Sequence, residues 1–180
     1  MLPEIKQKFT RLEQIWNSYF QTIENASEEQ RQFKPAPDKW CMLQVAQHIV
    51  GSEKGTLRFF NKYQPKNVKF ADKFSGIARS LVLTIALKLP IKFKVPPVPG
   101  LNPETTNSWE QTKAEWTGIQ TELQQYFERF PPEHTNHIVF KHPVAGKFNI
   151  SQTLDFLTEH ATHHLHQLER IKNSPGFPTS

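Results

Sequence analysis

An all-α helix bundle is the fold class this sequence predicts, and three observations lead there. Apolar residues recur at helical spacing in segments of about 15–24 residues. Prolines punctuate the chain between those segments. No run alternates apolar and polar residues strongly enough to suggest a sheet.

Each element follows in order. The first helix is predicted from about Pro3 to Ile23, with Pro3 suited to the first turn and Ile5, Phe9, Leu12, Ile15, Trp16 and Tyr19 on one face. SEEQRQFKPAPDKW is then a polar connection, and Asp38 is a candidate cap for a second helix running through CMLQVAQHIVGSEKGTLRFFNKY. Gly51 and Gly55 weaken that helix, so close packing or a bend is expected there. FADKFSGIARSLVLTIALKL reads as a third helix, either a bundle member or an insertion. Five prolines exclude regular helix from PIKFKVPPVPGLNPET, although IKFKV alternates and suits a short extended piece. A fourth helix starts near Ser108 and ends at Pro131 and Pro132. PPEHTNHIVFKHPVAGKFNI is a loop, and the last helix spans about Ser151 to Lys172.

The 180 residues suit one domain, placed at residues 1–173, and the 14 Phe and 4 Trp supply a core. Residues 174–180 are expected to form a loose tail. The net charge of +5 is dispersed. Its densest cluster, Lys62, Lys66, Lys69 and Lys73, reads as a solvated edge, which argues against nucleic acid as a partner. The longest apolar stretch is interrupted by Lys88 and Pro90 and is too short for a membrane span. MLPEIKQKF does not resemble a signal peptide, so a cytoplasmic protein is the expectation. The single cysteine, Cys41, forms no intrachain disulfide and reads as a small buried hydrophobe.

The chemistry concentrates in histidine. Four of the eight histidines fall in EHATHHLH, residues 159–166, within the last predicted helix. At about 100° per residue, Leu154, Leu157, Ala161, Leu168 and Ile171 define the apolar stripe. His164 lies within about 40° of its centre and His160 about 80° away, with Gln167 on the same flank. His163 and His166 fall opposite and are expected in solvent. The inward pair stands at i and i+4, a spacing that lets both imidazoles reach one ion. Three protein ligands plus water is the usual catalytic arrangement. His48 lies at the border of the second helix's apolar arc, and the loop residues His134, His137 and His142 are further candidates. Two readings stand on the residues alone: a metal pair, or core histidines hydrogen-bonded to Gln167 or Glu159.

Two segments carry a resemblance. PDKWCMLQVAQHIV is similar to the first motif of the DinB-like (DinB/YfiT) superfamily, a Trp near a helix start ahead of a metal-binding His. HPVAGKFNISQTLDFLTEHATHHLHQLERI resembles the second, an HP..G turn followed by a helix with H-x-x-x-H and L-x-Q. The resemblance implies a four-helix bundle core, here with an additional helix or insertion and a Pro-rich connection. It implies one divalent metal (nickel, zinc, iron or manganese) held by His48, His160 and His164, with His142, Glu159 and Gln167 as candidates to support the ligands. It further implies a hydrolase or thiol S-transferase acting on a small molecule, with a low-molecular-weight thiol among the candidates, in a homodimer. The alternative is a non-catalytic metal-binding or dimerising bundle.

Overall fold

Four long helices and one short one form in the computed structural model, which describes residues 1–63, 103, 107–142 and 146–179. Helix α1 spans Pro3–Glu24 and buries Ile5, Phe9, Leu12, Trp16, Tyr19 and Ile23 along one stripe. A one-turn helix α2, Glu28–Gln32, forms within the segment expected to be a polar connection. Its signal is SEEQ: Ser27 Oγ accepts from the Gln30 backbone N–H, and Gln30 Oε1 accepts from the Ser27 N–H.

Helix α3 spans Met42–Lys62 and begins later than the Asp38 cap predicts. Pro35 and Pro37 keep the preceding residues in a turn, closed by Lys39 N–H on Ala36 C=O, and Asp38 pairs with Lys39 instead. Cys41 is the residue at the cap, and its N–H donates to Gln44 Oε1. Cys41 is buried, as its small apolar character suggests. A Cβ at Gly55 would meet nothing within 4 Å, so close packing does not account for that glycine.

Helix α4, Trp109–Arg129, starts at the Ser108 cap with a capping box to Gln111. Helix α5, Ile150–Lys172, has the same device in Asn149 and Gln152. Between them lie a 3-10 turn at Pro132–His134 and an antiparallel hairpin of β1 (Phe140–His142) and β2 (Gly146–Phe148). The hairpin pairs Phe140 with Phe148 and His142 with Gly146. Gly146, paired with His142, has φ 88°, a conformation that suits glycine. The sequence shows no strand there because three residues per strand are too few to display alternation.

The most extensive helix contacts join α1 to α5 and α3 to α4, and α3 also packs on α5. The chain's first and last helices are therefore neighbours. Tyr19 and Phe20 of α1 set their rings edge-on to Trp116 of α4, at 5.2 and 5.3 Å. Such pairs add about 0.5–1.5 kcal/mol each beyond the area they bury. Glu53 of α3 lies within this aromatic core at 2% exposure. Trp16 Nε1–H donates to its Oε1 at 2.7 Å and Trp116 Nε1–H to its Oε2 at 2.8 Å. Burial raises the Glu53 carboxyl to about 7, against the two indole hydrogen bonds that favour its charged form.

The C-terminal residues make defined contacts. Phe177 packs edge-on against Phe33 at 5.5 Å, and Gln30 Nε2 donates to the Pro178 carbonyl at 2.9 Å. No described helix is long and apolar enough to cross a membrane. The third predicted helix, residues 70–89, and nearly all of the Pro-rich connection lie outside the described residues.

Candidate metal centre

The packing of α3 against α5 decides where the imidazoles meet. His48 sits mid-helix on α3, buried at 4% exposure. His160 and His164 project from successive turns of α5 and remain partly exposed. Nε2 of His48 and Nε2 of His160 lie 3.2 Å apart. One ligand nitrogen from each of the three rings lies within 4.8 Å of the others. The ring centroids are 5.2 Å apart for His48 and His160, and 4.7 Å for the other two pairs.

Neighbouring side chains hold each ring. Gln167, one turn beyond His164, accepts from its Nδ1–H at 2.8 Å. That bond fixes the tautomer and leaves Nε2 of His164 with its lone pair. Trp40 lies against His48 at 4.9 Å and stacks on His164 at 6.2 Å. Phe156 stacks on His160 at 5.4 Å and meets the ring of His142 at 4.8 Å. His142 therefore approaches the site from the hairpin, behind Phe156. Glu159 instead turns toward α1, where Arg11 reaches it at 3.4 Å. His134 and His137 stay away from the site: they group with Tyr63 at the C-terminal end of α3. Of the two histidines expected in solvent, His166 is exposed, whereas His163 is half-buried with its ring 5.0 Å from His164.

The electrostatics keep these rings uncharged. Burial lowers His164 to about 3, reinforced by His48, and His142 to about 4. His160 is pushed well below the ordinary histidine value, first by burial and then by His164 and His48. His142, His160 and His164 therefore present neutral imidazoles at neutral pH, the protonation state that ligates a metal. The donor set fits a divalent cation. Two nitrogens about 2.0–2.1 Å from a tetrahedral ion stand about 3.3 Å apart, close to the His48–His160 separation.

Two residues that shape the region escape a sequence reading. Phe156 lies roughly 120° from the centre of the α5 stripe, so helical phase does not mark it as buried, yet it is. Glu53 interrupts an apolar face of α3, and that interruption is the signal for a buried polar contact.

A four-helix bundle with a three-histidine cluster between α3 and α5 is the class of protein that fold and site define. Residues 11–168 match the DinB superfamily, and the chain belongs to it. No curated protein matches the chain in sequence. Two solved structures share its fold. One is TT2238, a four-helix bundle protein, 19% identical, with a TM-score of 0.61 over 92% of this chain and 98% of that one. The other is YfiT from Bacillus subtilis, described as a probable metal-dependent hydrolase with an unusual four-helix bundle topology. It is 13% identical, with a TM-score of 0.60 over 99% of this chain and 91% of YfiT.

Proposed function

We propose that this chain is a divalent-metal-dependent enzyme of the hydrolase type that acts on a small molecule, with His48, His160 and His164 as the metal ligands. The 3.2 Å approach of two imidazole nitrogens from different helices carries the reading. Two ring nitrogens at that distance share either a proton or a cation. The low proton affinity of His160 and His164 keeps both rings neutral, the state that can ligate a cation. The description of YfiT supports the same class.

A divalent ion held there would supply Lewis acidity to a bound substrate oxygen. The chain's own groups prepare the site. Gln167 holds the proton of His164 on Nδ1. Trp40 and Phe156 pack against the imidazoles of His48 and His160 and constrain their ring planes. His142, neutral at pH 7, is the polar group that the hairpin brings nearest, through Phe156, and is proposed to contact substrate. Imidazole ligands suit zinc, nickel, iron and copper more than magnesium or calcium.

The test measures metal content in tag-free protein, in His48→Ala and in His164→Ala. Each variant is expected to lose one bound ion per chain. Hydrolysis of a panel of small esters and amides, with and without chelator, tests the reaction class. Transfer of a low-molecular-weight thiol to an electrophile, without hydrolysis, would assign the thiol transferase class instead. Retention of metal at wild-type stoichiometry in both variants would overturn the ligand assignment.

A further inference from the structure

A second histidine group lies at the other end of α3. Tyr63 caps that helix, 15 residues and about 22 Å of helix axis beyond His48. Its hydroxyl lies 2.5 Å from Nδ1 of His137. His137 is buried at 8% exposure. His134 is held beside it, because the His137 N–H donates to the His134 carbonyl at 2.8 Å across the turn. The two imidazoles stack at an interplanar angle of 22° with centroids 4.5 Å apart.

Two polar atoms here are orphaned among the described residues. Nδ1 of His134 is buried with no hydrogen-bond partner, and so is the hydroxyl of Tyr126. Buried polar atoms are nearly always partnered, and each one left alone costs about 1–3 kcal/mol. Their rings are fixed by the aromatic wall. Tyr126 stacks on Phe60 at 4.1 Å, and Phe130 contacts Tyr126, Tyr63 and His134 at 5.7, 6.0 and 6.4 Å. The first cluster does not account for any of these groups.

We propose that His134, His137 and Tyr63 form a second site for a divalent transition metal, separate from the His48 site and independent of the proposed activity. Two imidazoles and a phenolate oxygen are the donors, a set suited to copper or zinc. Binding breaks the Tyr63 O–H bond, releases its proton to solvent and forms an oxygen–metal bond. The 2.5 Å contact between Tyr63 and His137 opens to about 3.3 Å, the separation of two donors about a tetrahedral ion. Nδ1 of His134 then gains the partner that the described residues do not give it. Tyr126 and Tyr63 share contact with the Phe130 ring.

Copper(II) and zinc titrations of tag-free, chelator-stripped protein test the site. Wild-type protein is expected to bind two equivalents, His48→Ala to keep the second site, and His134→Ala to keep only the first. Copper at the second site should give a phenolate-to-copper charge-transfer band in the visible, lost in Tyr63→Phe and kept in His48→Ala. Tyr63→Phe removes one oxygen and decides the matter if His134→Ala does not fold. A single equivalent lost in His134→Ala but kept in His48→Ala would support this site and sink the His48 site instead. The proposal is overturned if binding is unchanged in His134→Ala, or if no band appears that depends on Tyr63.

Discussion

Nε2 of His48 and Nε2 of His160 stand 3.2 Å apart although 112 residues separate them in the chain. Burial makes His160, like His164 and His142 beside it, hold a proton poorly, and this sets the behaviour of the metal-free protein in acid. Unfolded histidines titrate near 6.5, whereas folded His142 and His164 titrate near 4 and 3. Between those values the unfolded chain binds more protons, so stability falls as pH drops from about 6.5 toward 4. Each such histidine contributes at most about 1.4 kcal/mol per pH unit. Urea denaturation of metal-free protein at pH 7.0 and 5.0 should show the lower midpoint at pH 5.0. An unchanged midpoint would contradict the burial argument.

Glu53 gives the opposite sign. Its folded value of about 7 exceeds the unfolded 4.5, so the folded state binds the extra proton between them. This contribution is present below about pH 4.5 and is lost as pH rises to about 7. Gln at this position cannot titrate, and its amide NH2 faces one of the two indole N–H donors. Glu53→Gln should therefore cost about 1–3 kcal/mol at pH 5. The gap from wild type should shrink by pH 8, where wild type carries a buried charge. Paired denaturation curves at the two pH values check this, and a gap that widens with pH would refute it.

Gln167 accepts from Nδ1–H of His164, a proposed metal ligand. Removing such an outer partner typically weakens metal binding about 10–100-fold. Gln167→Ala is expected to show that loss by competition with a chromophoric chelator, while its helix content stays at the wild-type level. Gln167→Glu, which retains an acceptor for Nδ1–H, should restore affinity. Equal affinities in all three proteins would show that the hydrogen bond is idle.

Gly55 offers a stabilising change. Nothing lies within 4 Å of an added Cβ, and the residue is helical. Gly55→Ala should add about 0.4–1 kcal/mol, read as a higher thermal midpoint. A lower midpoint would mean that the glycine serves a need the packing does not reveal.

Tyr19 ties α1 to α5, the helix that carries two of the proposed metal ligands, by donating to the Ala161 carbonyl at 2.8 Å. Tyr19→Phe keeps the ring contact with Trp116 and removes this bond, for an expected loss of about 1–2 kcal/mol in chemical denaturation. A larger share of the effect should appear in metal affinity than for a remote core change, because Ala161 lies between His160 and His164. Unchanged stability and affinity would exclude that link.

Much of this protein is legible along single helices. The apolar stripes of α1 and α5 and the Ser108 cap of α4 follow from spacing and local hydrogen bonding, which act within a few residues. The inward phase of His160 and His164 follows in the same way. The start of α3 and the short hairpin were less legible, because prolines and turn geometry outweighed the Asp38 cap signal and the strands are too short for a pattern.

The sequence by itself determined which face each helix buries, and with it the pair on α5. Only the tertiary structure decided what each face meets. It set α5 between α1 and α3 and so delivered His48 to the pair. It placed Glu53 between Trp16 and Trp116, and it kept His134 and His137 with Tyr63 at the far end of α3. The physical reason is range: a helix's periodicity is enforced by its own turns, whereas the identity of its neighbour depends on packing across the whole bundle.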